Sequence, residues 1–156
     1  MNSSALFDLT GRRALITGSS RGIGLALAQG LAGAGAEIIV NGRDAARLEK
    51  AAESLRDRGA KVQLLAFDAA DHAAVKAAVD GFEAATGAID ILVNNAGMQH
   101  RTPLEDFDPA DFERLMTTNI STVFNVGQAV ARHMIKRGKG RIINIGGMSG
   151  HMGAAG

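Results

Sequence analysis

Eight residues, Thr17-Gly18-Ser19-Ser20-Arg21-Gly22-Ile23-Gly24, lie between the apolar run Arg13 to Thr17 and an amphipathic stretch that follows. A turn joining a strand to a helix around a pyrophosphate needs glycine for a sharp reversal, for close approach of backbone to phosphate, and for tight helix–strand packing. Gly18, Gly22 and Gly24 meet these needs, in a Gly-x3-Gly-x-Gly spacing rather than GxGxxG; the alternative is a tight structural turn. A helix starting near Gly22 aims its first amides and the positive end of its dipole at the phosphates. A second clue follows the next apolar run. At Asn41-Gly42-Arg43 no acid is present to bind a ribose 2′-hydroxyl. Arg43 and Arg21 can instead pair with a 2′-phosphate through charge-assisted hydrogen bonds, which favours NADP over NAD. Otherwise they are two surface arginines.

The elements that must position these residues alternate along the chain. Arg13 to Thr17 reads as a strand, followed by a helix over 22–34 with Ile23, Leu27 and Leu31 on one face. Glu37 to Val40 is a second strand. Asp44 caps a helix carrying Leu48, Ala51, Ala52 and Leu55, which Gly59 ends. Lys61 to Ala66 is a third strand, Asp71 caps a helix with Val75, Val79 and Phe82, and Ile89 to Val93 is a fourth strand. Asp108-Pro109-Ala110-Asp111 starts one long helix expected to run to about Lys136, since aspartate, proline and a further acid all suit a helix start. Arg141 to Ile145 is the fifth strand, and 146–156 forms no obvious element. Strands buried on both faces and linked by single helices imply an α/β fold: a Rossmann-like, doubly wound parallel sheet of order 3-2-1-4-5. A sheet ending at that fifth strand has an unpartnered apolar edge, a sign of truncation, with the C-terminal part of the fold missing.

Composition bounds the alternatives. With 156 residues, 46% hydrophobic and 21% charged, the chain suits a single domain over 1–156. Seventeen Lys and Arg against 16 Asp and Glu create no field favouring nucleic acid or an anionic membrane, so small molecules are the expected partners. The absence of cysteine excludes disulfides and thiolate metal sites, and His72, His100, His133 and His151 form no ligand spacing, so no metal is expected. No signal-peptide pattern opens the sequence, and no stretch reaches the roughly 20 apolar residues of a membrane span. A cytoplasmic location is expected.

Thr17 to Gly24, Asp68, Asn94-Asn95-Ala96-Gly97 and Asn119, in this order and at these separations, resemble the short-chain dehydrogenase/reductase family. The resemblance covers nearly the whole chain. It implies cofactor contacts from Thr17, Gly18, Ser20, Arg21, Gly22, Ile23, Gly24, Arg43, Asn94, Ala96 and Gly97, a strand-stabilising role for Asn94 as well, an adenine contact from Asp68, and a catalytic-helix position for Asn119, which in the family holds a water of the proton relay. It also implies hydride transfer between nicotinamide and a carbonyl or alcohol carbon. In that reaction a tyrosine moves the proton, a lysine lowers its pKa and a serine holds the substrate oxygen.

Here the pattern breaks. In Asn144-Ile145-Gly146-Gly147 the family serine position is Gly147, Ser149 is a substitute only if the loop shifts, and the sequence contains no tyrosine. The chain as given is therefore expected to lack turnover, since losing acid–base help alone costs about 10²- to 10⁴-fold. The stretches Asn94 to Phe107 and Gln128 to Met134 are similar to gluconate 5-dehydrogenases, implying a secondary alcohol/ketone oxidoreductase acting on gluconate and 5-ketogluconate. Arg101 can hold a sugar-acid carboxylate, with His100 adding a hydrogen bond; the alternative is that both face solvent. A 3-oxoacyl or ketosteroid reductase shares the core motifs. Two other readings are a non-catalytic NADP-binding module and a remnant that oligomerises through the long helix, as relatives form dimers or tetramers. That helix carries Phe112, Leu115, Met116, Val123, Val126 and Val130, a set wider than one face needs.

Overall fold

In a computed structural model, which describes residues 6–147, five strands form one parallel sheet in the expected order β3-β2-β1-β4-β5. The elements are β1 (Arg13–Ile16), α1 (Gly22–Gly33), β2 (Glu37–Val40), α2 (Ala45–Arg56), β3 (Val62–Leu64), α3 (His72–Ala85), β4 (Ile91–Asn94), α4 (Pro109–Met116), α5 (Thr122–Lys136) and β5 (Arg141–Asn144). A 3-10 turn, Leu104–Asp106, precedes α4, and a π-helical turn, Thr117–Ser121, joins α4 to α5. Ala14 lies beside Ile38 on one side and Ile91 on the other.

Because successive side chains of a strand point to opposite faces, each apolar run feeds two cores. Leu15, Ile39 and Leu92 pack with Val75, Val79 and Phe82 of α3 and Val126 and Val130 of α5. Ala14, Ile16, Ile38, Val40 and Val93 pack on the other face with Ala28 of α1 and Leu48 and Leu55 of α2. Full burial of each Leu, Ile or Val contributes about 1.5–3 kcal/mol. Asp44, Asp71 and Asp108 each cap their helix by accepting backbone N–H groups, from Arg47, from Ala73 and Ala74, and from Ala110.

Three expectations are corrected and a fourth is refined. β3 is shorter than Lys61 to Ala66, because the carbonyls of Leu65 and Phe67 accept from the Asn41 side chain. β4 begins at Ile91 rather than Ile89, whose N–H donates to Glu83 and whose carbonyl accepts from Arg137. α1 meets the sheet through Gly24 and Ala28, leaving Leu27 and Leu31 half-buried and Ile23 68% exposed. The expected long helix runs without a gap from Pro109 to Lys136 and contains a π turn at Asn119, and its apolar residues divide between core and surface. Val126 and Val130 enter the core, Leu115 and Val123 are half-buried, and Phe112 and Met116 are exposed.

Candidate functional site

The candidate residues converge at the carboxyl ends of the strands, where the order reverses between β1 and β4. Ligands of open α/β sheets sit at such a switch point. Thr17, after β1, and Asn95, after β4, lock the two loops together. The buried Thr17 Oγ1 accepts the N–H groups of Asn95 and Ala96, each at 2.9 Å. Asn95 Nδ2 returns a hydrogen bond of 3.0 Å to the Thr17 carbonyl and a second, of 3.4 Å, to that of Gly18.

The glycines shape a cradle that side chains would fill. A Cβ on Gly24 would lie 2.5 Å from the Gly18 carbonyl oxygen and 2.6 Å from Asn95 Nδ2, so only hydrogen allows α1 to start this close to the turn. Gly18 and Gly22 both adopt left-handed backbone, at φ 63° and 59°, which other residues enter at a cost of about 1–2 kcal/mol. A Cβ on Gly22 would meet nothing within 4 Å, so that position faces open space above the turn. Ser20 is half-buried, while Arg21 and Ile23 are exposed at the rim. By helix geometry the first amides of α1 lack partners within the helix and present a ready anion site. Backbone approach, open space and positive dipole together fit a dinucleotide pyrophosphate.

Two buried residues, one in the glycine turn and one just after β2, stiffen this edge. Ser19 Oγ donates to the Ile16 carbonyl and accepts from Asn41 N–H, while Asn41 holds the chain after β3 as described above. Beyond them Arg43 Nη1 lies 3.4 Å from Asp68 Oδ2. Asn94, in β4, is buried, and its Nδ2 donates to Asn144 Oδ1 across the β4–β5 pair at 2.9 Å. This bond ties β5 to β4 at the site edge of the sheet.

Asn119 occupies the π turn, a distortion that concentrates at functional sites. Both ends of its amide are used: Oδ1 accepts from Met98 N–H at 2.9 Å and Nδ2 donates to the Met98 carbonyl at 3.0 Å. The side chain thus clamps the loop after Gly97, and a Cβ on Gly97 would approach Asn119 Oδ1 to 3.0 Å. Further along this loop, His100 turns toward α4. Its Nε2 lies 3.3 Å from Asp111 Oδ2 and 3.1 Å from Thr102 Oγ1, and its ring meets Phe107 edge-on. Arg101, between these anchored neighbours, is exposed. Among the described residues a Cβ on Gly147 meets nothing within 4 Å; Ser149 lies outside them. Sequence reasoning passed over Asn95, Ser19, Asn41 and Asn125. A signal was available for Asn95, a second amide beside Asn94 at a strand end, but not for the others, each of which bonds a segment distant in sequence: Ser19 that of Asn41, Asn41 the chain after β3, and Asn125 the carbonyls of Ala69 and Ala70.

The fold and this edge define a nucleotide-binding domain of the doubly wound α/β class. Residues 12–156 match the profile of the short chain dehydrogenase family, and the chain belongs to that family. It is 53% identical over 145 residues to a gluconate 5-dehydrogenase of Gluconobacter oxydans and 43% identical over 148 residues to a 5-keto-D-gluconate 5-reductase of Escherichia coli. These alignments include 93% and 95% of this chain but 57% and 58% of the relatives. The crystal structure of a gluconate 5-dehydrogenase from Burkholderia cenocepacia in complex with NADP and tartrate superposes with a TM-score of 0.93 at 54% identity, covering 99% of this chain and 60% of that one.

Proposed function

We propose that residues 1–156 form one NADP-binding domain of an oxidoreductase that interconverts a secondary alcohol and a ketone, with a sugar acid of the gluconate and 5-ketogluconate type as substrate. The observation that carries this reading is the cradle built by Gly18, Gly22 and Gly24, with a cation and no acid in the Asn41-Gly42-Arg43 turn that follows β2. The bound nicotinamide would supply the hydride. Thr17, Gly18, Ser20, Gly22, Ile23 and Gly24 would hold the pyrophosphate, Arg43 with Arg21 the 2′-phosphate, and Asp68 the adenine. Asn94, Ala96 and Gly97 would line the nicotinamide side, and Asn119 would fix the loop beneath it. Arg101, exposed beside that loop, is the candidate for a substrate carboxylate, which a guanidinium can hold through two parallel bonds. With Nε2 occupied by Asp111 and Thr102, His100 would support Arg101 rather than donate from that atom.

The proton transfer that must accompany hydride transfer needs an acid at the substrate oxygen, and this sequence has no tyrosine and a glycine at 147. The chain by itself is therefore proposed to capture cofactor without turnover. Titration of the 156-residue chain with NADPH, followed by nicotinamide fluorescence, tests the binding half. Saturable binding supports it, and no binding refutes it. Reduction of 5-ketogluconate by the whole protein tests the rest, with a 3-oxoacyl thioester as the competing substrate.

Association of copies is a second part of the proposal. Phe112, Met116, Ile120 and Phe124 recur every fourth residue along α4, the π turn and α5, and are 53%, 44%, 58% and 60% exposed. Spaced one turn apart, they form an apolar stripe of the kind that pairs with a second copy. Light scattering on Phe112→Ser and Phe124→Ser variants tests it; an unchanged particle size refutes a role for the stripe.

A further inference from the structure

Arg43 and Asp68 follow neighbouring strands, and their side chains meet at 3.4 Å. They are held very differently. The segment around Asp68 is fixed on both sides: Asn41 Nδ2 bonds the carbonyls of Leu65 and Phe67, and Asn125 Nδ2, from α5, bonds those of Ala69 and Ala70. Both asparagines are buried, at 2% and 7% exposure. Asp68 also caps its own turn, with Oδ1 accepting from Ala70 N–H at 3.0 Å. The Arg43 side chain is 77% exposed, and Asp68 is its one ion-pair partner among the described residues. The carboxylate is the fixed member of the pair, and the guanidinium is the movable one.

We propose that Asp68 is a positioning residue for cofactor selectivity: it holds Arg43 over the 2′ position, and the pair rather than Arg43 alone sets the preference for a phosphorylated cofactor. This deepens the NADP reading above and rests on it. A guanidinium has five donors in a rigid fork. The Asp68 contact uses Nη1 and leaves the others for a phosphate. Released from Asp68, Arg43 returns to the freedom of an exposed side chain and must be ordered again on binding, at a cost that falls on the phosphorylated cofactor alone. With Arg43 removed, the sense of Asp68 reverses. An unpaired carboxylate near the end of β2 repels a 2′-phosphate and accepts from a 2′-hydroxyl. The same carboxylate therefore favours NADPH when Arg43 is present and NADH when it is absent. An adenine contact acts equally on both cofactors and produces no such reversal.

The test measures dissociation constants of NADPH and NADH by fluorescence titration for wild type, Asp68→Asn, Arg43→Met and the double variant, with circular dichroism confirming the fold. Asp68→Asn is expected to lower the NADPH-over-NADH preference about two- to fivefold, the range for an exposed ion pair. Arg43→Met lowers it further, and adding Asp68→Asn to Arg43→Met raises it again. Asp68→Glu, which keeps the charge, restores part of the preference in the Arg43 background. Equal weakening of both cofactors by Asp68→Asn, or the same change in both backgrounds, overturns the proposal while leaving the NADP reading intact. Wild-type protein that binds NADH as tightly as NADPH overturns the NADP reading and this proposal together.

Discussion

Replacing Thr17 by valine keeps the branched shape and removes one oxygen. That oxygen accepts two backbone N–H groups at 2.9 Å, from Asn95 and Ala96, in a residue that is 2% exposed. Valine offers no acceptor, and the methyl in its place keeps water out. A buried donor left without a partner costs about 1–3 kcal/mol. Asn95 and Ala96 are themselves half-buried, so solvent recovers part of that, and about 2–4 kcal/mol is expected for the pair. Against a typical domain stability of about 5–15 kcal/mol, this is a large share. Urea unfolding should show a lower midpoint with an unchanged slope, and NADPH binding should weaken, because the loop that carries Ala96 and Gly97 loses its tie to the glycine turn. Thr17→Ser retains the oxygen and loses one methyl, and should stay within about 1 kcal/mol of wild type. A Thr17→Val protein within about 0.5 kcal/mol of wild type, the scatter of ordinary surface changes, would refute the reasoning. So would a Thr17→Ser protein damaged as badly as Thr17→Val.

Gly24→Ala should cost about 1–3 kcal/mol and weaken nucleotide binding, because the added methyl meets a backbone oxygen that cannot swing away; calorimetry and NADPH titration check it. Gly81→Ala, inside α3 with nothing within 4 Å of the new methyl, should stabilise by about 0.5–1 kcal/mol and raise the melting temperature. The Asp80 carboxyl is held below its ordinary pKa of 3.8 by the hydrogen bond from Lys76 and then by that from His133. A depressed value in the folded state stabilises above the unfolded value and is lost as pH falls through the folded one. Asp80→Asn should therefore flatten the loss of stability below about pH 4 in acid unfolding curves, and an acid limb identical to wild type would refute this.

The order of the sheet was legible because Leu15, Ile39 and Leu92 belong to apolar runs too continuous for a one-sided sheet, with capped amphipathic helices between them. The helix starts at Asp44, Asp71 and Asp108 were legible too, since a cap is a local bond between an aspartate and amides two or three residues on. The strand ends at Ile89 and Leu65 were not, because Glu83, Arg137 and Asn41 take their backbone groups from elsewhere in the fold. The face of α1 was misread because helix periodicity credits the large Ile23, whereas close packing on the strand selects Gly24 and Ala28.

By itself the sequence determined the fold class, the glycine turn after β1, the cation after β2 and the absence of a tyrosine, because each is set by local composition and short-range chemistry. Tertiary structure alone decided which side chains tie these pieces together. Thr17 with Asn95, Asn119 with Met98, His100 with Asp111 and Arg43 with Asp68 are pairs from separate elements. Their partners become neighbours only when parallel strands bring their carboxyl ends to one edge, and no spacing along the chain encodes that distance.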